Sequence, residues 1–229
     1  MSDNSYHENI TADAAGLYPE WARLSEAERA HLVASARRVS YKKGESIHRG
    51  ALDCIGVLLL KKGGVRVYML SEEGKEITLY RLSEGEMCVL SASCVLQTIT
   101  FDVHIDAEND VEAVLISPDD YSDVCESNIY AECCSYKLLS DRFSEVMWAM
   151  QQILFMSFDK RLAIFLWDEL AKKGSDCIEL THEQIAKYTG SAREVVTRML
   201  RYFSEEGIVE LSRGGVRITD RDKLRALTR

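Results

Sequence analysis

The sequence predicts an α+β chain with an antiparallel β-barrel first, a long helix second, and a helix-turn-helix closed by a β-hairpin last. Three observations predict it. Residues 39–118 alternate short β-rich runs with glycine or acidic turns, the rhythm of an antiparallel sandwich or barrel. Leu139, Phe143, Val146, Met150 and Ile153 step by 4-3-4-3, the seam of a long helix. Residues 181–206 hold a short helical pattern, a turn at Gly190 and a longer helical pattern.

Taken in order, residues 1–16 are polar and acidic and read as a disordered lead. Ser25, Glu26, Ala27 and Glu28 match a capping box, with Ser25 as N-cap and Glu28 reaching back, and open a short helix that runs through about Arg37. The barrel domain is expected over 17–118. Its β-rich runs are Cys54–Lys61, Val65–Leu70, Glu76–Leu82, Thr100–Asp106 and Glu112–Ile116, with turns at 61–64, 72–75 and 83–86. A mixed α+β domain is the alternative for this stretch.

Residues 119–157 form the long-helix region. Met147, Trp148 and Leu154 widen its seam, which fits a two-stranded contact between copies of the chain. The plainer reading packs this helix on its own barrel, and one helix can do both. The adjoining Cys133 and Cys134 read as core or interface packing. Residues 158–229 form the last domain. Helix 159–172 gathers Leu162, Ile164, Phe165, Leu166 and Leu170 on one face, and a short strand near Cys177–Leu180 leads into the helix-turn-helix. Ile208–Leu211, the turn at 213–215 and Val216–Thr219 then make a hairpin. Two helices followed by a β-hairpin describe a winged helix.

Composition narrows the partners. Hydrophobic residues make up 46% of the 229, ordinary for a folded protein. No apolar run approaches the roughly 20 residues a membrane span needs. The N-terminus lacks the basic and apolar regions of a signal peptide, so a cytoplasmic protein with no membrane partner is expected. The net charge of −9 speaks against nucleic acid, but its distribution reverses the argument. Residues 1–157 hold 14 Lys and Arg against 25 Asp and Glu, whereas residues 158–229 hold 14 against 12. Affinity for DNA follows the charge that meets the phosphates, not the chain total. The seven cysteines form no CxxC pair, and an odd number without a signal peptide points to reduced thiols.

The second helix of the helix-turn-helix concentrates the chemistry. Val196, Leu200 and Phe203 fall at i, i+4 and i+7 and face inward. Arg193, Thr197 and Arg201 form an outward stripe, with Glu194 and Arg198 beside it. Arginine donates two hydrogen bonds to guanine O6 and N7, and a carboxylate accepts from cytosine N4. Purely structural explanations stand beside this one: Ser191 with Glu194 matches a capping box, and Glu194 with Arg198 is spaced as an i, i+4 ion pair.

The order barrel, long helix, winged helix, with SerAlaArgGluValValThrArg at 191–198, resembles the Crp/Fnr family of bacterial transcription regulators, from about Leu17 to Thr219. The resemblance implies a jelly-roll, cyclic-nucleotide-binding-like barrel, a dimerisation helix, and a homodimer that binds double-stranded DNA at an inverted repeat. It also implies a small-molecule effector and, as a further partner, RNA polymerase. By resemblance Arg193, Glu194 and Arg198 read base edges, Thr197 tunes the half-site, and Thr181 and the hairpin-tip Arg213 touch phosphate. The implied half-site core is TGTGA-like or TTGAT-like, and Arg193 leans toward the former.

In the cyclic-AMP-type members the effector cassette begins Gly-Glu and ends in an arginine that grips the cyclic phosphate. Gly85 and Glu86 match its start, but Phe101 falls near the expected arginine, and no Arg or Lys occurs between Arg81 and Lys137. A buried phosphate without a cation is costly, so cyclic AMP is not expected. An N-terminal iron–sulfur cluster is not expected either, since the first cysteine is Cys54. For haem, His48 and His104 are candidate ligands, but spacing singles out no pair. The expected pocket comprises Gly85, Glu86, Cys88, Ser91, Ser93, Cys94 and Phe101. It suits an uncharged or weakly acidic ligand, or a redox signal at Cys88 and Cys94, unless those two only pack. Two other classes compete. One is a constitutive DNA-binding protein whose barrel is only a dimerisation platform. The other is a cupin-type enzyme, which needs clustered histidines plus a carboxylate. The barrel offers only His48 and His104 and no His-x-His, so no catalytic residues and no metal ligands are expected.

Overall fold

The computed structural model describes residues 2–50, 55–89 and 102–229. The chain divides into two compact units, Met1–Leu70 with Leu79–Val146, and Ser71–Thr78 with Met147–Arg229. The division falls inside the long helix rather than at the boundary between 157 and 158 expected from the sequence.

In chain order, α1 (Ser2–Leu17), a 3-10 turn (Trp21–Arg23) and α2 (Glu26–Ala34) precede eight strands. These are β1 (Arg37–Tyr41), β2 (Ser46–Arg49), β3 (Val57–Lys62), β4 (Val65–Leu70), β5 (Glu76–Leu82), β6 (Met87–Cys88), β7 (His104–Ala107) and β8 (Val111–Ile116). They build two four-stranded sheets, ordered β1-β8-β3-β6 and β2-β7-β4-β5, with antiparallel pairings. The run Val57, Leu58, Leu59, Leu60 is wholly buried because both faces of β3 are covered. Leu58 and Leu60 meet Val65, Val67, Ile105 and Ala107 of the other sheet. Val57 and Leu59 turn the other way and join Val114 and Ile116 under the helices. Strands covered on both faces read as continuous apolar runs rather than alternating ones.

The disordered lead expected over 1–16 is corrected: Ser2–Leu17 is helical. Ile10, Ala14 and Leu17, at i, i+4 and i+7, pack into the core beside Val57 and Leu59. Asp13 on the same helix pairs with Arg38 at 2.6 Å and Lys61 at 2.8 Å. Burial works against its carboxylate, but the hydrogen bonds from Lys61 and Arg38 outweigh it and hold its pKa below the usual value. In α2 the Ser25–Glu28 capping box forms as expected, with Glu28 N donating to Ser25 Oγ and Ser25 N to Glu28 Oε2. The helix stops at Ala34, short of the expected Arg37, because β1 takes Arg37 into register with Leu115.

Tyr18, at the end of this segment, is buried, and its hydroxyl has no hydrogen-bond partner among the described residues. The Tyr121 ring meets it edge to face with centroids 6.4 Å apart, while the Tyr121 hydroxyl bonds Ser135 Oγ at 2.5 Å. A buried polar group left unpaired costs about 1–3 kcal/mol. Tyr18→Phe is therefore expected to hold or raise the Tm in a thermal melt. A fall of several degrees would show that the hydroxyl is satisfied in solution.

The helical stretch after β8 is two helices, α3 (Pro118–Ser127) and α4 (Ile129–Phe155). Asn128 separates them, and its Oδ1 accepts from Tyr130 N at 2.9 Å. The expected seam on α4 proves to mix two faces. Leu139 and Val146 pack against the barrel core, whereas Phe143 and Met150 are exposed, together with Met147, Trp148 and Leu154. The outward stripe is Phe143, Met147, Met150, Leu154, one step round the helix from the stripe read off the sequence. Upstream it continues in the same 4-3 rhythm through the exposed Ile129, Cys133, Tyr136 and Ser140.

The second unit is the expected winged helix. It contains α5 (Phe158–Lys173), β9 (Cys177–Ile178), α6 (His182–Thr189), α7 (Arg193–Glu205), β10 (Val209–Ser212), β11 (Gly215–Ile218) and α8 (Arg221–Leu227). The sheet runs β10-β11-β9. Leu162, Leu166, Ile185, Val196, Leu200, Phe203, Ile208, Val216 and Leu224 close one core. The sequence reading did not include α8, which Asp220 caps by accepting from Lys223 N. No described helix is long and apolar enough to cross a membrane.

Candidate nucleic-acid interface

The helix-turn-helix is fixed at both ends of α6. Thr181 is its N-cap: Gln184 N donates to Thr181 Oγ1, and Thr181 N donates to Gln184 Oε1 at 2.9 Å. At the other end Gly190 has φ +61, a left-handed turn in which a β-carbon is strained, and Ser191 N donates back to Ala186 O. The N-cap of α7 is Ala192, with no side-chain cap. The Ser191–Glu194 capping box expected from the sequence is therefore not formed. The helix starts one residue later than the box requires, which makes Glu194 its second residue and not its third. Nor does an ion pair close between Glu194 and Arg198 among the described residues. Both structural explanations for these two side chains lapse.

Val196, Leu200 and Phe203 anchor α7 in the core with no exposed surface. On its opposite face Arg193, Glu194, Thr197, Arg198, Arg201, Tyr202 and Glu205 line a shallow, open depression. Thr197 Oγ1 donates to Arg193 O at 2.9 Å and lies 3.0 Å from His182 Nδ1. Burial, and then the charges of Arg193 and Arg201, push the His182 pKa down. Ser212 and Gly215 close the hairpin and leave Arg213 and Gly214, with φ +88 at the glycine, as its two-residue tip. Arg213 is exposed.

Of the expected effector-pocket residues, Ser91, Ser93, Cys94 and Phe101 lie outside the described residues. Gly85 N donates to Leu60 O at the barrel edge, and Cys88 is buried between the sheets. Glu86 meets a cation the sequence reading missed. Arg142 of α4 reaches Glu86 Oε1 at 3.0 Å and Glu145 Oε1 at 2.8 Å, with its guanidinium 5.2 Å from the Tyr80 ring centre. The signal that would have found it is position: Arg142 is three residues after Leu139 and four before Val146, on the stripe facing the barrel. With two carboxylates on one guanidinium, the cluster keeps a net negative charge. Among the thiols, Cys134 is buried and burial pushes its pKa up to about 11, while Cys133 is exposed. No disulfide joins any of the described cysteines. No group of three or more His, Cys, Asp or Glu that could hold a metal occurs among the described residues.

Comparison with known proteins agrees with this geometry. The Crp-like helix-turn-helix domain matches residues 160–227, and the cyclic nucleotide-binding domain matches residues 38–128. A Crp/Fnr-family regulator of known structure from Eubacterium rectale is 43% identical, over 93% of this chain and 98% of its own, with a TM-score of 0.88. The cyclic AMP receptor protein of Thermus thermophilus is 25% identical over 90% of this chain and 91% of its own length. FixK2 from Bradyrhizobium japonicum, 17% identical over 85% of this chain and 98% of its own, shares the fold at a TM-score of 0.69. The Crp/Fnr family that these matches point to is one of transcription regulators, not enzymes, which removes the cupin reading. Both domains are matched in order and a 43% identical relative spans nearly the whole chain: the chain belongs to the Crp/Fnr family of transcription regulators.

Proposed function

We propose that the protein is a homodimeric, sequence-specific transcription regulator in which α7 enters the major groove and the barrel receives an effector. The observation that carries the DNA reading is the outer face of α7. Arg193, Glu194 and Arg198 are exposed there, and neither the cap nor the ion pair that would have employed Glu194 and Arg198 within the domain is formed among the described residues. Arg193 and Arg198 then donate to guanine O6 and N7, and Glu194 accepts from cytosine N4. Thr181 and Arg213 flank this face and meet phosphates, which positions the domain without reading sequence.

The outward apolar stripe of α4 supports pairing with a second copy, since large exposed apolar side chains in heptad spacing seek a partner helix. A two-fold dimer places its two reading helices about 34–36 Å apart on an inverted repeat. The ion cluster of Arg142, Glu86 and Glu145 supports an effector role for the barrel, because it ties the start of the pocket to the helix that carries the stripe. A regulator of this kind works in the cytoplasm, where its DNA and RNA polymerase are. Selection from random DNA is expected to return an inverted repeat with G·C pairs one helical turn apart. A single, unrepeated motif, or no enrichment, would sink the dimeric reading. Native mass spectrometry on the protein purified without oxygen tests the effector half: a mass of two bare chains, with affinity unmoved by cell extract, leaves a constitutive binder.

A further inference from the structure

The contact between the two helices of the helix-turn-helix is a chain of hydrogen bonds with a fixed direction. Thr197 Oγ1 is 2.9 Å from Arg193 O and 3.0 Å from His182 Nδ1. A carbonyl only accepts, so the single hydroxyl proton of Thr197 points into its own helix. The hydroxyl must then receive the proton of the imidazole, which places that proton on Nδ1. Thr197 lines the outer depression between Arg193 and Arg198, yet its hydroxyl has no proton to offer there. What it can present outward is its γ-methyl group.

Resting on the reading of α7 as the groove helix, we propose that His182 is a positioning residue that sets base preference. By donating from Nδ1 it holds the Thr197 hydroxyl toward the backbone, so that Thr197 reads a thymine through methyl contact. The major groove distinguishes thymine by its C5 methyl, which a threonine methyl can meet. Guanine at the same position offers only N7 and O6 acceptors, and a hydroxyl without a free proton gives them nothing. A free serine hydroxyl would turn to either base. His182 therefore acts by taking away an option.

The test uses the full-length protein on its selected site and on the same site with deoxyuridine replacing one thymine at a time, which removes only the C5 methyl. In the wild type, one thymine per half-site is expected to be sensitive, with a loss of about fivefold to tenfold on replacement. Thr197→Val, which keeps a methyl group in place, keeps the sensitivity to that thymine. Thr197→Ser binds the thymine and uracil sites alike. His182→Phe flattens the preference at that one position and leaves other positions and the salt dependence unchanged. His182→Asn restores the preference, because its amide N–H stands where Nδ1–H stood. The proposal is overturned if Thr197→Ser retains the discrimination and Thr197→Val loses it, if no thymine is sensitive, or if His182→Phe changes nothing. Failure of the underlying reading looks different: Arg198→Ala would then select the same site as the wild type.

Discussion

Arg198→Ala is expected to abolish sequence-specific binding while leaving a weak, salt-sensitive affinity for any DNA. A good bidentate arginine–guanine pair is worth about 1–3 kcal/mol against the wrong base, so two half-sites lose about 2–6 kcal/mol, a drop of about thirtyfold or more. Binding that rests on phosphates draws on other side chains and survives. Arg213→Ala is the opposite case. The tip arginine lies outside the α7 depression, so its removal weakens all sequences alike and lowers the salt slope by about one per subunit. Fluorescence anisotropy on the selected site and on a scrambled duplex, across a salt series, separates the two. Equal losses on both duplexes for Arg198→Ala would contradict base reading.

Phe143→Glu combined with Met147→Glu is expected to yield monomers. Phe143 is 66% exposed and Met147 45% exposed, so neither substitution opens a cavity in the subunit. Burying each side chain against a partner helix is worth about 1.5–3 kcal/mol, and a carboxylate at either position would have to be desolvated. Sedimentation should show one chain of unchanged helix content. Affinity for the inverted repeat should fall to that of one half-site, because the second is no longer held at a high effective concentration. Persistence of the dimer with both glutamates in place would move the subunit contact off α4.

The winged helix was legible because its cues are local. Val196, Leu200 and Phe203 define the buried face of α7 without any tertiary partner, and Gly190 marks the turn. Elements that depend on distant chain were missed. β1 is Arg37–Tyr41, with polar residues along it, and it becomes a strand through its pairing with β8. The three core-facing residues of α1, Ile10, Ala14 and Leu17, are too sparse to announce a core helix until a sheet face is there to receive them. Arg142 lies 56 residues beyond Glu86, and a cassette read as a continuous stretch cannot contain it. The Ser191–Glu194 box matched the right residue types one position out of phase, a slip that only the backbone of the turn corrects.

Arg142 and Phe143 are neighbours in the chain, but successive residues on an α-helix are turned by about 100°. One side chain therefore looks into the barrel while the next looks into solvent along the outward stripe. A helix held by its own backbone hydrogen bonds cannot adjust one face and spare the other. If the Arg142–Glu86 pair exchanges partners and α4 rolls, Phe143 sweeps through the same angle. On the proposed reading, an effector inside the barrel that moves Arg142 would act as torque on α4, with Phe143 as the dial on which it is read.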